Sequence, residues 1–442
     1  MADHPQTSLF ATQAESKTSG PVACLGMTFE SDEKRLEGYL KPLAVDAHGL
    51  HLHHTNLPEW LAHGLQVDAA TDHLRRIQGL LAALQTSVPS REARHPEWLV
   101  FAHRWAELLA AWYQMSLPDQ PAMRQQFEDV QAHMDDAFFE WVFQRYRGLY
   151  NLPAAQPAML HHIPRYLARK LDTAEAAKIA LLVLDGLALD QWIVLRDVLM
   201  LRRPQWHCHE AAVFAWLPTL TSVSRQAVFA GKPPVYYPGS IHRTDKEAAL
   251  WTQFWTDQGL AQTAVAYARS LRTDADLATV ENIVTHPRVR VVGLVIDAVD
   301  LIMHGMTLGT AGMHNQVRQW AEDGFLVRLL DLLFNHDYAV FLTSDHGNIE
   351  AVGCGRPAEG SVADVRGERA RVYPDQMLRD QVATRFPNAV AWPAYGLPED
   401  YLPLLAPGRS AFVREGERIV GHGGMTLEEL IVPFIHIEGR HP

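Results

Sequence analysis

Tyr338-Ala339-Val340-Phe341-Leu342-Thr343-Ser344-Asp345-His346-Gly347-Asn348 is an apolar run that stops abruptly on polar, metal-competent residues. Its first five residues have the composition of a strand buried on both faces of a parallel sheet. Asp345 and His346 fall where such a strand ends, and open α/β sheets keep their sites at that edge. Gly347 is expected to supply a backbone turn that few other residues tolerate. By itself Asp-His-Gly also fits a turn closed by an aspartate side chain, so its meaning depends on the rest of the chain.

From about residue 175 apolar strands alternate with amphipathic helices, which predicts a parallel sheet with helices on both faces. The spacing predicts strands at 178–184, 213–217, 289–296, 339–343 and 430–437, and helices at 187–201, 244–258, 312–335 and 375–385. Upstream the texture is helical. Trp98, Phe101, Ala102, Trp105, Leu108, Leu109 and Trp112 share one helical face, and Phe127, Val130, Met134, Phe138 and Trp141 repeat the pattern, as core packing requires. Pro153, Pro157 and Pro164 mark a connection. The expected division is a mainly helical domain at 1–160 and an α/β domain at 161–442. His48, His51, His53 and His54 cluster without a carboxylate or thiolate at useful spacing, so they read as surface or packing residues.

With 442 residues, 48% of them hydrophobic and 20% charged, the chain can bury at least one large core. Its net charge of -12 argues against a mainly electrostatic nucleic-acid binder. Three scattered cysteines, Cys24, Cys208 and Cys354, exclude a disulfide framework or thiolate zinc site. No apolar run approaches the roughly 18 residues of a membrane span, and the N-terminus carries no signal-like segment. A cytoplasmic address without a membrane is expected.

Several segments of the α/β half carry polar residues suited to chemistry. Leu181-Leu182-Val183-Leu184-Asp185-Gly186 ends a strand on a carboxylate, which could equally cap the next helix. Pro218-Thr219-Leu220-Thr221-Ser222-Val223-Ser224-Arg225 sets hydroxyls at a helix start, where free N–H groups favour an anion and where they can also serve as caps. Asp300 and His304 are four residues apart and share one face of a helical turn, so they can chelate one ion. Asp345-His346 is the next piece, and Gly421-His422-Gly423-Gly424 the last.

This ordered set resembles the alkaline phosphatase superfamily of metal-dependent phosphoryl and sulfuryl transferases. Within it, the chain is most similar to the PglZ family of BREX phage-defence systems. The residues that carry the likeness are Ala180-Leu-Leu-Val-Leu-Asp-Gly-Leu-Ala-Leu-Asp-Gln-Trp192, Pro218 to Gly231, and His422-Gly-Gly-Met-Thr-Leu-Glu-Glu429 running into Ile431-Val-Pro433. It covers about residues 160–442; nothing specific is recognised in 1–150.

The resemblance implies a three-layer α/β/α sandwich with one metal site of Asp300, His304 and His422 and another of Asp185, Asp345 and His346. It implies Thr221 as nucleophile, since phosphodiesterase members often have a threonine ten residues before the glycine that ends the next segment, as Thr221 stands to Gly231. Mixed Asp and His ligands suit two divalent ions, zinc first, then manganese. Arg225 would either reach a non-bridging phosphate oxygen or stand on the surface. Arg356, Arg366, Arg369 and Arg371 would grip a phosphate backbone or be solvated. The implied activity is a phosphodiesterase or nuclease of phage defence. The alternatives are a phosphomonoesterase on a nucleotide or phosphoprotein, and a metal-containing structural scaffold. Nucleic acid is a candidate substrate. The helical half would dock another BREX subunit, a BrxB-type small protein as first choice.

Overall fold

The computed structural model describes residues 69–114, 120–357 and 368–439, together with two three-residue strands, Val22–Cys24 and Met27–Phe29. The chain divides into two compact units, Met1–Gly79 and Leu80–Pro442. In the first, Val22–Cys24 pairs antiparallel with Met27–Phe29. The cluster of His48, His51, His53 and His54 lies outside the described residues.

The second unit is built on a six-stranded sheet. Its strands are β1 (Lys178–Leu184), β2 (His207–Phe214), β3 (Val265–Leu271), β4 (Val291–Ile296), β5 (Tyr338–Thr343) and β6 (Ile431–Glu438), in the spatial order β2-β6-β5-β1-β4-β3. β1 lies centrally, parallel to β4 and β5, and Ile179–Leu184 are fully buried because both faces are covered. β3 is parallel to β4.

The helices relevant to the site are α1 (His95–Gln114), α2 (Pro121–Arg145), α3 (Ile163–Asp172), α4 (Leu189–Arg202), α5 (Thr221–Ala230), α6 (Glu247–Asp257), α7 (Ala298–His304), α8 (Gly309–Asp323) and α9 (Phe325–Asn335). α4, α8 and α9 pack together as one outer layer, and α3, α5 and α6 as the other. The result is a three-layer α/β/α sandwich.

Several expectations are corrected. The last strand is not part of a parallel array: β6 is antiparallel to both β5 and β2. The polypeptide enters it from the edge where His422 lies and must run back across the sheet. The strand predicted at 213–217 begins at His207, since its first half is a polar, half-exposed sheet edge without an apolar run. β3 was missed for the same reason. The helix predicted at 312–335 is two helices, because Gly324 adopts φ +83, a left-handed conformation that ends one and starts the next.

The aromatic stripes of α1 and α2 are core, as expected. Trp98, Trp105, Phe127, Phe138 and Trp141 are buried. Trp98 packs on Phe138 with ring centroids 4.8 Å apart, and Trp141 stacks on Phe214 of β2 at 5.4 Å. Asp135 of α2 accepts two hydrogen bonds from Arg409, at 2.7 and 3.0 Å. Residue 160 falls inside the second compact unit, where α1 and α2 pack on each other, α1 also lies on α4 and α8, and Trp141 reaches the sheet at Phe214.

Candidate active site and metal centre

β1 and β5 end side by side, so Asp185 and Asp345-His346 meet at the C-terminal edge of the parallel strands. Local hydrogen bonds stitch the two loops together. The Leu187 amide donates to Ser344 Oγ at 2.9 Å, and Asn348 Nδ2 donates to the Gly186 carbonyl at 2.7 Å. Asp345 Oδ1 accepts from the amides of Gly186 and His346, both at 3.1 Å. That leaves Asp345 Oδ2 buried without a hydrogen-bond partner, and Asp185 Oδ1 is in the same condition.

His346 completes this group and is fully buried. Its Nδ1 lies 3.1 Å from the Gly347 carbonyl, which can only accept, so the proton sits on Nδ1 and Nε2 presents a lone pair. Nε2 is 3.6 Å from Asp345 Oδ2 and 3.8 Å from Asp185 Oδ1. A tetrahedral ion with bonds near 2 Å would set its ligand atoms about 3.3 Å apart. Three electron-pair donors, two of them orphaned carboxylate oxygens, thus converge at nearly that spacing.

A second group lies against the first. Asp300 and His304 sit one turn apart on α7, with His304 Nε2 3.3 Å from Asp300 Oδ1. His422 Nδ1 donates to the Thr219 carbonyl at 2.8 Å, which again leaves Nε2 free. One ligand atom each from Asp300, His304 and His422 lies within 4.8 Å of the others, and the same holds for Asp185, Asp345 and His346. The His346 and His422 rings stack at 3.8 Å and 6°, so the two groups are adjacent. All six expected ligands are brought together.

The electrostatics fit divalent cations. Burial drives the Asp345 carboxyl well above the usual range, helped by the Asp185 charge, and burial raises Asp185 despite Arg225. Burial pushes His346 well below its ordinary value, with His422 acting the same way. At Asp300 burial is the largest influence and acts upward, but the bond from His304 and the charges of His304, His422 and Arg225 together outweigh it and hold the carboxyl low; the same bond raises His304. Buried carboxylates crowded together around a neutral imidazole are costly without positive charge.

Thr221 opens α5 and its Oγ lies 2.9 Å from His346 Nε2. Two of the neighbouring hydroxyls serve structure. Thr219 is fully buried, donates to the Gly424 carbonyl at 2.7 Å and accepts from the Gly423 amide at 3.0 Å, so it holds the His422 loop. Ser224 is also buried and accepts from the Trp216 amide at 3.1 Å. α5 ends at Gly231, whose left-handed φ of +60 explains the ten-residue spacing.

Arg225 does not stand on the surface. It is buried, donating from Nη1 to Asp185 Oδ2 and from Nε to Glu247 Oε1 at 2.7 Å. Glu247 in turn accepts from the Tyr267 hydroxyl. The arginines after Asp-His-Gly also differ from expectation. Arg369 is fully buried and paired with Glu429, whose Oε1 accepts from the Gly424 amide at 2.8 Å; together they pin the glycine loop after His422. Arg371 lies over Phe412 and donates to its carbonyl at 3.0 Å. Arg356 is exposed, 3.6 Å from Glu417, and Arg366 lies outside the described residues. Sequence reading missed Glu247, and it named Thr219 and Glu429 within motifs without their structural roles. The role of Glu429 carried a local signal, the Thr426-x-x-Glu429 capping box.

Gly347 is needed for space, not for an unusual turn. A Cβ there would stand 1.9 Å from the Glu428 carbonyl oxygen and 3.2 Å from Ala188 Cα, both backbone. Gly347→Ala is expected to lose metal and hydrolysis together, because the Asp345-His346 loop must move away from the segment that follows His422. Elemental analysis and a melting curve check this; wild-type values for both would mean the loop yields without cost.

The model of the PglZ family, described as the BREX system PglZ alkaline phosphatase-like domain, matches residues 163–437. Among solved structures, murine ectonucleotide pyrophosphatase/phosphodiesterase 5 is similar at 12% identity, with 59% of this chain and 88% of that one covered and a TM-score of 0.46. The human counterpart gives 13%, 59%, 87% and 0.41. Phosphonoacetate hydrolase from Sinorhizobium meliloti 1021, in complex with phosphonoformate, gives 15%, 60%, 91% and 0.37. No curated protein matches the sequence.

Proposed function

The chain belongs to the PglZ family, and from that premise we propose that it is a phosphoester hydrolase using Thr221 and two divalent ions, zinc first and manganese second. The observation that carries this is the pair of three-ligand groups joined by the stacked rings of His346 and His422, with the Thr221 hydroxyl 2.9 Å from one of them. The substrate we favour is a phosphodiester, nucleic acid included, and the setting BREX-type phage defence.

A threonine hydroxyl is a poor nucleophile at neutral pH. Divalent ions, when bound, would lower its pKa and neutralise the charge on attacking and leaving oxygens. Asp185, Asp345 and His346 would hold one ion, and Asp300, His304 and His422 the other. Thr221 Oγ, giving its proton to water, attacks phosphorus in line and forms a phosphothreonine as the bond to the leaving oxygen breaks and that oxygen takes a proton from water. Water then attacks the phosphothreonine and returns the hydroxyl. The start of α5 favours the phosphoryl anion through its N–H groups. Arg225, committed to Asp185 and Glu247, acts as a positioning residue for the Asp185 carboxylate.

Metal loading should release protons. The Asp185–Asp345 pair holds a proton to higher pH than an isolated carboxylate would, and His304 stays protonated below its raised value. His346, shifted downward, adds none in that window. Affinity is expected to fall as pH drops through the His304 value, which lies above about 6.5. Zinc calorimetry in buffers of different ionisation heat reads the released protons; a heat independent of buffer would contradict this.

The purified protein with zinc or manganese should cleave bis-p-nitrophenyl phosphate faster than p-nitrophenyl phosphate, and should nick plasmid DNA. Cleavage of the monoester alone would favour the phosphomonoesterase, and metal binding without hydrolysis would favour the scaffold. Association with another BREX subunit, a BrxB-type protein first, is part of the proposal. It does not rest on the aromatic stripes of α1 and α2, since these are buried in the chain's own core.

A further inference from the structure

At the opposite edge of the sheet, β2 and β6 carry a second kind of cluster. The antiparallel register sets His209 opposite His436 and His207 opposite Glu438, so all four side chains share one face. Phe214, the end of β2 nearest Thr221, lies five positions beyond His209, a distance of about 17 Å along a strand. Glu438 Oε1 lies 3.2 Å from His209 Nε2 and 3.7 Å from His436 Nδ1, so one carboxylate oxygen stands between two imidazoles. One ligand atom from each of the three residues lies within 4.8 Å of the others.

We propose that His209, His436 and Glu438 form a peripheral binding site for a divalent cation of the zinc class, separate from the catalytic edge. Two imidazoles and one carboxylate are borderline donors that suit zinc, copper or nickel better than magnesium or calcium. The spacing again approaches the roughly 3.3 Å of tetrahedral ligand atoms. The rings are preorganised: His436 stacks on Phe341 at 4.5 Å and 12°, and on His209 at 5.6 Å and 23°. His207, with its ring centroid 5.3 Å from that of His209, lies beside the group but not in it, and the fourth position is left to water. Lys170, whose charge is felt at His436, is engaged by Glu175 at 2.6 Å. Because β2 is the outer strand of the sheet, a bound ion ties it to β6, and zinc is expected to raise the melting temperature through this site.

The test compares wild-type protein with the His209→Ala/His436→Ala variant, each stripped with chelator, equilibrated with low-micromolar free zinc and analysed for metal. The variant should hold one equivalent less than wild type, whatever number resides at the catalytic edge, with hydrolysis unchanged. Its melting temperature in chelator should match wild type, while part of the zinc-induced rise is lost. Glu438→Gln, which keeps the shape of the side chain, should lose the same equivalent and stands in if the double variant fails to fold. Equal zinc content in wild type and Glu438→Gln, or a third equivalent appearing only at millimolar zinc, would overturn the proposal. Failure of the two-ion catalytic reading would appear differently, as fewer equivalents in both proteins alike.

Discussion

Thr221→Ala is expected to lower phosphodiester hydrolysis at least about a hundredfold while leaving metal content unchanged, since it removes the nucleophile and leaves only positioning and electrostatics. Among the described residues Thr221 Oγ makes one side-chain hydrogen bond, donating to the His346 Nε2 lone pair that an ion would take, and it bonds to no backbone group of a ligand loop. Two of the neighbouring hydroxyls offer no rescue. Thr219 and Ser224 are fully buried and bound to the backbone of the His422 loop and of Trp216. Near wild-type turnover would therefore discard Thr221 as nucleophile in favour of Ser222 or of direct attack by water. Trapping phosphothreonine by acid quench during steady-state turnover gives an independent reading, because wild type should accumulate it and the variant should not.

Asp345→Asn together with His346→Ala should strip one equivalent of metal and abolish hydrolysis. Two of three donors of one group disappear, and the remaining carboxylate, Asp185, is already committed to Arg225 through its other oxygen. Elemental analysis showing two full equivalents would refute these ligand roles. Asp345→Asn alone separates ligation from architecture. The amide oxygen can still accept from the Gly186 and His346 amides, while the buried charge is gone. In chelator this single variant should be at least as stable as wild type, because burial already drives the Asp345 carboxyl toward its neutral form. If it melts lower in chelator and keeps its metal, the carboxylate is structural.

The features legible in the sequence are those set by local spacing. β1, β4 and β5 read as buried strands because their apolar runs are short, uninterrupted and followed at once by Asp or Asp-His. Asp300 and His304 read as a pair because four residues make one helical turn. The order of these motifs identified the family, and the six ligands it implied are the ones the fold brings together. The roles of Arg225, Arg369 and Gly347 were not legible, since each is decided by a residue far away in sequence: Asp185 and Glu247 for the first, Glu429 for the second, the Glu428 carbonyl for the third.

By itself, then, the sequence determined which residues end strands, which pairs share a helical face and which fold these elements build, because backbone periodicity and hydrophobic burial act over a few residues. Only the tertiary structure decided which hydroxyl faces the ligand groups, that β6 runs against its neighbours, that α1 and α2 pack into the same unit as the sheet, and that His209, His436 and Glu438 meet across two strands. Each of these depends on register, strand direction or burial between distant segments. An alternating strand such as His207-Cys208-His209-Glu210 does not reveal which neighbour it will face until the sheet is assembled.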